Sequence, residues 1–424
     1  MRAADNSLEF NGDYNLHSIF LGSFRYQDKI DITPLFSFIE VFESIYSPFI
    51  SINIGIIDSA GLMDKARIIG DEFIEIDLRD ADNETGFRNE TFYIYKITDR
   101  IPISDRGNSY TLKCISLPAL ADMNMLVSKA YKGQPSEIVA SIYQQFYGSQ
   151  KTFIVEDTKN YVQYISNYWS PLKNIKFLCD RAVSRKTNSS AYYFFETKKE
   201  FIFCSLNMLV QQTATNTFFY TINNKVLGDE FNKSMIIEKL YIDESFDYIK
   251  RLKSGAYGNR TLIINPLSKQ YNYGYYDFIE SFDKHSRLNT EPFTSSEAPR
   301  KLNSVFRYRV APDRTYPSMN SEKTSEWFSQ NMTEYSAIDS QKIQIDVPGH
   351  MRIHAGSVSN IFIYSDIINK GDDPSNAFDS VFSGRYLVTS IKHLFTKERH
   401  SMHLELSKDS LISVGSNDKW LSME

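Results

Sequence analysis

The stretch FISINIGIID at residues 49–58 carries the clearest structural signal in the chain. Its isoleucines at positions 50, 52, 54 and 56 fall on one face, because successive side chains of a β-strand point to opposite sides. The next stretch, GDEFIEIDLRD (70–80), repeats the alternation at Ile74, Ile76 and Leu78. Both stretches predict strands that bury one face in a core.

Two more alternating stretches follow, TFYIYKITDR (91–100) and SYTLKCISL (109–117). The residues between them include the turn formers Pro102, Asp105, Gly107 and Asn108, so the pair predicts a hairpin. An antiparallel sheet of this size has exposed edges, which closure into a barrel would remove. We therefore expect a small antiparallel β-barrel over residues 1–117.

Helical periodicity replaces the alternation in the next part of the chain. In GQPSEIVASIYQQFYG (133–148), Pro135 fits the first turn of a helix, apolar residues recur every three to four positions, and a glycine closes the stretch. A second helix is expected from Ser170 onwards, and AYYFFETKKEFIFCSL (191–206) predicts a hairpin around a Thr-Lys-Lys turn. Residues 118–210 are thus predicted to form an α+β module.

Alternation returns in KSMIIEKLYID (233–243) and QKIQIDVPG (341–349), so residues 211–250 plus 338–410 are predicted to form a second β-barrel. The fold class expected is mainly β, with an α+β middle module and two similar small antiparallel β-barrels in one chain.

Residues 251–337, between the two parts of the second barrel, mix Gly, Asn, Tyr, Ser and Pro without a clear period. We expect an inserted, extended and irregular segment there. Near its end, SEKTSEWFSQNMTEYSAIDS (321–340) predicts a short helix whose inward side is formed by Trp327, Phe328, Met332 and Tyr335. Residues 411–424 are assigned to a C-terminal tail.

The two β regions can be aligned with each other. Ile97 and Leu112 in the first hairpin match Ile391 and Leu404 in a later one, at spacings that differ by two residues. Two interpretations remain open: a duplicated barrel, or two unrelated hairpins that share alternation because every antiparallel hairpin does.

Composition excludes several classes of protein. The net charge is −5, from 47 basic and 52 acidic residues, so binding to nucleic acid through an excess of positive charge is disfavoured. Cys114, Cys179 and Cys204 are too widely spaced for a zinc motif and are expected to be small buried apolar residues. We expect neither a secretory signal nor membrane insertion, since no apolar run approaches the roughly 18 residues that a spanning helix needs.

Histidines are the first candidates for chemistry. His393, His400 and His403 form the only cluster that resembles a metal site, but positions 400 and 403 of a strand face opposite sides. We expect surface or edge histidines on a hairpin. His350 and His354 follow Pro348 and Gly349 in a strand-turn context rather than lying on a helix, so the spacing of a helical zinc site does not apply.

Other candidates are equally weak. The carboxylates of Glu238, Asp243 and Glu244 could serve a glycosidase, but acidic residues are common on solvated faces. GAYGN (255–259) lacks the Lys and Ser/Thr of a phosphate loop and favours a tight turn. The tyrosines of 271–276 could stack on sugars or cover an interface. No catalytic, cofactor-binding or metal-ligating residue and no cofactor is predicted, and the chain is not expected to be an enzyme.

Seven residues are assigned to structural turns. Gly61, Gly70 and Gly107 serve the first β region. Pro348, Gly349, Gly356 and Gly384 serve the second.

The chain as a whole resembles a known family. EVFESIYSPFISINIGIIDSAGLMDKARIIGDEFIEIDL (40–78), WSPLKNIKFLCDRAVS (169–184), KSGAYGNRTLIINPLSKQY (253–271) and residues 345–410 are similar, in order, to the successive modules of baseplate hub proteins from contractile-tailed bacteriophages. Order and coverage carry this resemblance, since none of the four stretches is as specific as a nucleotide-binding loop.

The resemblance implies a structural role in the virion. It implies a homotrimeric, pseudo-six-fold ring in the tail baseplate that joins the hexameric tail tube, or its initiator proteins, to the trimeric central spike. It also implies contacts with the surrounding wedge proteins, assembly in the host cytoplasm, and passage of DNA through the lumen. The alternatives are a tail-associated cell-wall hydrolase and a tail protein that binds carbohydrates or a receptor through the Tyr-rich stretch.

Overall fold

A computed structural model describes residues 12–59, 61–66, 68–82, 85–104, 107–221, 235–242, 246–266, 269–295, 306–310, 324–364 and 378–413. Asp105, Asp243, Glu244 and most of the predicted C-terminal tail lie outside the described residues. No helix within these ranges is long and apolar enough to span a membrane.

In the first β region the described residues form seven strands and one short α-helix. The strands are β1 Tyr14–Ser23, β2 Tyr26–Asp31, β3 Phe36–Ser44, β4 Ser51–Asp58, β5 Glu72–Asp80, β6 Gly86–Ser104 and β7 Gly107–Ser116, and the helix is α1 Leu62–Ala66. The alternating isoleucines of β4 and β5 are buried as predicted. The loop predicted around Pro102 was too long, because β6 continues to Ser104 and Pro102 pairs with Asn108.

The middle module contains the predicted helices and hairpin. Its elements are α2 Leu117–Asn124, β8 Val127–Gly133, α3 Pro135–Ile142, β9 Thr152–Val155, β10 Val162–Trp169, α4 Pro171–Cys179, β11 Tyr192–Glu196, β12 Glu200–Ser205 and α5 Leu206–Val210. Both helix starts are confirmed. Pro135 opens α3 behind a capping box formed by Gln134 and Glu137, and the Ser170 hydroxyl accepts a hydrogen bond from the Lys173 N–H at the start of α4. The hairpin β11–β12 encloses the Thr-Lys-Lys turn.

The remaining chain forms the second β region and an insert. Its elements are β13 Asn216–Tyr220, β14 Lys239–Tyr241, α6 Tyr248–Ser254, β15 Gly258–Asn265, β16 Gln270–Asp277, β17 Glu291–Pro292, β18 Phe306–Val310, α7 Thr324–Ala337, β19 Gln341–Pro348, β20 Val358–Ile363, β21 Gly384–Thr396, β22 His400–Lys408 and β23 Ser410–Leu411.

The insert is more regular than its sequence indicates. We expected an irregular segment, but β15, β16 and β18 form a three-stranded sheet, and this expectation was wrong for those residues. Helix α7 covers one face of the sheet largely through polar contacts: the Asn259 side-chain amide donates to the Ser329 carbonyl and to the Thr333 hydroxyl at 2.8 and 2.9 Å. A strand whose buried face carries polar side chains lacks the alternation of apolar residues by which strands are predicted from sequence.

The inward side of α7 also differs from the prediction. Trp327 is buried, whereas Phe328, Met332 and Tyr335 are only half-buried. Glu334 is almost fully buried and pairs with the Arg287 guanidinium through bonds of 2.8 and 3.1 Å. Arg287 also approaches Asp409 at 3.6 Å. The contact between Arg287 and Asp409 attaches the insert to the residue that follows β22.

Thirteen of the described strands belong to one sheet that crosses both β regions, in the order β14-β19-β22-β21-β3-β4-β7-β6-β5-β1-β2, with β20 on β21 and β13 on β20. One apolar core lies under the first region and another under the second. The mainly β fold class is confirmed. The two separate barrels stay a prediction, because the described pairings form one open path.

Candidate assembly interface

The central sheet contains the same strand unit twice. In the first region the order is β3-β4-β7-β6-β5, and in the second it is β14-β19-β22-β21-β20, with antiparallel pairs throughout both units. One row of paired residues crosses each unit. The two rows are Ile39, Ile54, Leu112 and Ile97 in the first unit, and Leu240, Ile345, Leu404 and Ile391 in the second.

One irregularity lies at the same place in both units. The pairing of β6 with β7 shifts register between Ile94 and Lys96, and that of β21 with β22 shifts between Val388 and Ser390. Each shift lies one to three residues before the member of the row that its strand contributes, Ile97 in β6 and Ile391 in β21. The pairs Ile97–Leu112 and Ile391–Leu404, matched in the sequence, are cross-strand partners in the same place of each unit. Bulges are rarely placed alike by chance in unrelated sheets, which favours duplication.

The two units meet at a seam formed by β3 and β21. These strands pair antiparallel from Ser390–Ser44 to Thr396–Phe38. At one end of the seam the Thr389 carbonyl accepts hydrogen bonds from the Ile45 N–H and the Ser44 hydroxyl, at 3.0 and 3.1 Å. The seam makes one continuous surface from two units.

The solvent side of the seam is polar and its charges are paired. The Lys392 ammonium lies 3.4 Å from Glu40, whose carboxylate also accepts from the Asn53 amide at 3.0 Å. Further along the same face, His403 lies 2.6 Å from Asp346. A solvated ion pair such as Lys392–Glu40 suits a surface that faces water or a partner, and it contributes little to stability.

A buried polar chain lies beneath the seam. The Lys198 ammonium, from the turn between β11 and β12, donates to the Ile353 carbonyl and to His393 Nε2, both at 3.0 Å. Since an ammonium only donates, His393 carries its proton on Nδ1 and donates to His400 Nε2 at 3.0 Å. Among the described atoms, His400 Nδ1 has no partner. The chain connects the middle module to both strands of the hairpin β21–β22.

Burial dominates the electrostatics of this polar chain. It lowers the pKa of both His393 and His400 well below the usual range, and the nearby Lys198 charge acts in the same direction. Burial also lowers the pKa of Lys198, against the opposing charges of Glu43 and Asp80. The two imidazoles are therefore neutral at pH 7. The hydrogen bonds from Lys198 to His393 and from His393 to His400 hold the middle module against the β21–β22 hairpin.

A second buried group joins the middle module to the first β region. The Glu196 carboxylate accepts from the Ile50 N–H at 2.9 Å and from the Ser116 hydroxyl at 2.7 Å. Lys151 lies 2.9 Å from Glu196 and 2.5 Å from Glu90. Burial raises the pKa of Glu90 to about 7, although Lys151 opposes the shift. Glu196 and Lys198 stand two residues apart, so one turn contacts both β regions.

The histidine prediction was wrong for two of the three residues. His393 and His400 are fully buried, whereas His403 is partly exposed on the opposite face, as strand geometry requires. The signal was present in the sequence, because His393 shares its alternation with Ile391 and Phe395. Within the described residues, no three His, Cys, Asp or Glu side chains are arranged to hold a metal ion.

The other candidates for chemistry are dispersed. Glu238 pairs with Arg399 at 2.7 Å on the surface. The three cysteines are buried as predicted, and burial raises the pKa of each thiol. In GAYGN, Gly255 follows α6 with a φ of 86°, a conformation that ends a helix.

One cavity of about 530 Å³ is an open groove whose lining includes Asp339, Lys342 and Glu405. Lys342 lies 3.1 Å from Asp339 and 3.6 Å from Glu405, and all three side chains are partly exposed. Charges that neutralise one another in solvent are typical of a surface groove, and the groove offers no set of groups converging on a substrate.

The residues assigned to turns have various positions. Gly61 precedes α1, Gly70 precedes β5, Gly107 begins β7, and Gly384 begins β21. Pro348 ends β19, and a Cβ on Gly349 would stand 2.1 Å from the His400 ring. Gly356 has a φ of 84°, and a Cβ there would stand 2.7 Å from the Phe195 ring. Gly349 and Gly356 thus allow close packing over the polar chain and the middle hairpin.

The tyrosines of β16 form an exposed row. Tyr271, Tyr273 and Tyr275 point to the side of the insert sheet opposite α7, and the Arg260 guanidinium lies 4.2 Å from the centre of the Tyr273 ring. The row is an exposed aromatic surface.

Comparisons with known proteins agree with this architecture. No protein-family model matches the chain. A probable baseplate hub protein, gp334, of Vibrio phage KVP40 is 22% identical over 375 residues, which span 84% of this chain and 86% of that protein.

Two solved structures share the fold. The tail protein from Neisseria meningitidis MC58 has a TM-score of 0.56 at 9% identity, with 93% of this chain and 97% of that chain covered. The 43 kDa tail protein of prophage MuSo2 from Shewanella oneidensis has a TM-score of 0.55 at 10% identity, with 93% and 99% covered. The chain is therefore similar in sequence to a baseplate hub protein and in fold to phage tail proteins, which confirms the resemblance found in its sequence.

Proposed function

We propose that this chain is the hub subunit of a contractile-tail baseplate, and that three copies close into a pseudo-six-fold ring in the virion. The observation that carries the proposal is the duplicated strand unit, which shares order, register and bulge position across the two halves of the sheet. The similarity to a probable baseplate hub protein supports it.

Duplication explains how a trimer can imitate a hexamer. A ring forms when one heterologous contact repeats with a rotation that closes. Each chain brings two strand units already joined by the contact between β3 and β21. Three chains supply six such units, so a six-fold partner on one side and a three-fold partner on the other can both be matched.

The proposed ring joins the tail tube, or its initiator proteins, to the central spike, with wedge proteins around it. Its lumen passes DNA without gripping it. The paired charges on the solvent side of the seam support this part of the proposal, because Lys392 is already neutralised by Glu40. An excess of unpaired basic residues would instead hold the phosphates.

The rival functions lack a supporting site. A hydrolase of the cell wall needs a buried carboxylate next to a substrate cleft. Among the described residues, the partly buried Glu90 and the buried Glu196 are both engaged by Lys151. Sustained clearing of peptidoglycan by the purified chain would contradict our proposal.

The direct test is the oligomeric state. We expect light scattering on the purified full chain, at about 10 μM, to give three times the 49.1 kDa mass of one chain. Negative-stain images should show a central hole with six lobes around it. A strictly monomeric profile at this concentration would rule out the ring.

A further inference from the structure

We propose that neighbouring copies of this chain are joined by antiparallel pairing of the outer part of β6 in one copy with β14 in the next, in the register that joins β21 to β3 within the chain. The inference rests on the ring proposed above and names the surfaces that would close it.

The first surface is the side of β6 that β5 leaves uncovered. Strand β5 accompanies β6 only as far as the pair Phe73–Tyr93, and β20 accompanies β21 only as far as the corresponding pair Val358–Leu387. Beyond Leu387 the vacated side of β21 is taken by β3. Beyond Tyr93 no strand of the described chain takes the same side of β6.

The second surface is the outer side of β14. In the first unit, β3 pairs with β4 on one side and with β21 on the other. Its counterpart β14 pairs with β19, and its other side has no strand among the described residues. Within the part of the chain that the structure describes, the contact is made once internally, and one copy of each of its two edges is left without a strand.

Both open edges carry apolar side chains that a monomer would leave in water. On β6, Ile101 and Ile103 are 60% and 58% exposed, and Tyr95 is similarly exposed. On and after β14, Tyr241 and Ile242 are 42% and 40% exposed. An apolar strand edge invites another strand, which satisfies its free N–H and C=O groups and covers the side chains. The occupant that fits the β6 edge is the β14 edge of a second copy.

The internal seam also gives the register. Leu112 and Leu404 occupy the same place in the two units. Three residues before each of them stand Ser109, which pairs with Ile101, and Ser401, which pairs with Leu394. Ile101 therefore corresponds to Leu394. Ile39 and Leu240 begin the two equivalent rows of paired residues. The residues that follow them, Glu40 and Tyr241, therefore correspond to each other.

Because Leu394 pairs with Glu40 in the internal seam, Ile101 of one copy pairs with Tyr241 of the next. By the same rule Pro102, whose partner Asn108 corresponds to His400, is the counterpart of Phe395. Because Phe395 pairs with Ile39, Pro102 of one copy pairs with Leu240 of the next. This register predicts which positions can be cross-linked between copies.

Disulfide cross-linking of the full chain tests this register. The wild-type cysteines are buried, so introduced ones dominate the reaction. In the double variant Ile101→Cys/Tyr241→Cys, oxidation with diamide should produce dimers and trimers on a non-reducing gel. The shifted pair Ile101→Cys/Lys239→Cys should cross-link at least fivefold less, because diagonal neighbours lie beyond the reach of a disulfide. Glu40→Cys/Leu394→Cys is the matched internal control and should cross-link within a single chain.

A second variant measures the same contact without new cysteines. Ile101→Asp/Ile103→Asp should convert the trimer to a monomer while the circular dichroism spectrum stays that of the wild type. Ile165→Asp is the control, since Ile165 is 58% exposed on β10 of the middle module, away from both edges. It should leave the trimer intact.

The outcomes separate this inference from the proposed function. A trimer that fails to cross-link through positions 101 and 241, or that survives the double aspartate variant, would refute the β6–β14 contact and leave the hub proposal standing. A wild-type chain that is monomeric would refute both.

Discussion

The two strand units share one scaffold but differ in what lies on either side of it. In the second unit the free side of β21 is covered by β3, and the buried Lys198–His393–His400 chain supports the joint from below. In the first unit the equivalent stretch of β6 contains a second bulge near Asp99, with a φ of 57°, and ends in exposed isoleucines. The difference fits our proposal that one edge is completed within the chain and the other by a second copy.

The largest effect should come from the equivalent core positions. Leu112 and Leu404 are both fully buried in corresponding places, so Leu112→Ala and Leu404→Ala should each lower the free energy of unfolding by about 2–5 kcal/mol. Urea melts monitored by tryptophan fluorescence measure this. Lys96→Ala on the exposed side should change it by less than about 0.5 kcal/mol. A loss below about 1 kcal/mol for one leucine alone would show that the units are not equally packed.

A smaller effect should come from pH, because only the second unit has buried histidines. Their pKa is lowered in the fold, so the unfolded chain binds more protons below about pH 6.5 and stability falls as the solution becomes more acidic, by about 1.4 kcal/mol per pH unit for each histidine. Glu90, with its pKa raised to about 7, acts oppositely over the same range. An unfolded histidine is only half protonated at pH 6.5, so these three groups together should give a net loss of roughly 1 kcal/mol from pH 6.5 to 5.5.

Two variants test the sign of each contribution in the pH experiment. Glu90→Gln removes the opposing group and should steepen the loss between pH 6.5 and 5.5. His400→Asn should flatten it, and Asn is the residue that stands at the corresponding position 108 of the first unit. Urea midpoints that stay constant from pH 7 to 5 in the wild type would contradict the assignment of neutral buried imidazoles.

The smallest effect should come from the insert, which has no counterpart in the first unit. Tyr273→Ala removes an exposed ring and its contact with Arg260, which is worth about 0.5–1 kcal/mol at an exposed site. We expect a change near the lower value in the same urea melts. A glycan array provides the informative contrast: specific binding by the wild type, lost in Tyr273→Ala, would favour a carbohydrate-binding tail protein over our proposal.

Apolar alternation made much of the fold predictable. The strands around Ile54 and Ile76, the helix that begins at Pro135 and the matched pairs Ile97–Leu112 and Ile391–Leu404 are all visible in the sequence, because each buries one face against a core. The continuous sheet was not predictable, since nothing local in β3 or β21 indicates that these strands pair.

The missed features have a common physical cause. The insert strands bury polar groups, such as Asn259 against Thr333, so their burial leaves no apolar period. The polar chain depends on Lys198, which lies 195 residues from His393, and only the folded chain brings these two side chains together. Long-range polar contacts are the part of a structure that periodicity does not encode.

The internal seam between β3 and β21 has a mechanical consequence for a ring of three chains. Half of its joints would be bridged by continuous polypeptide, and the other half would depend on association alone. Under load such a ring would open first at the three joints between chains, which lie a third of a turn apart. The two strand units of each chain would stay joined, so the ring could widen without any subunit unfolding.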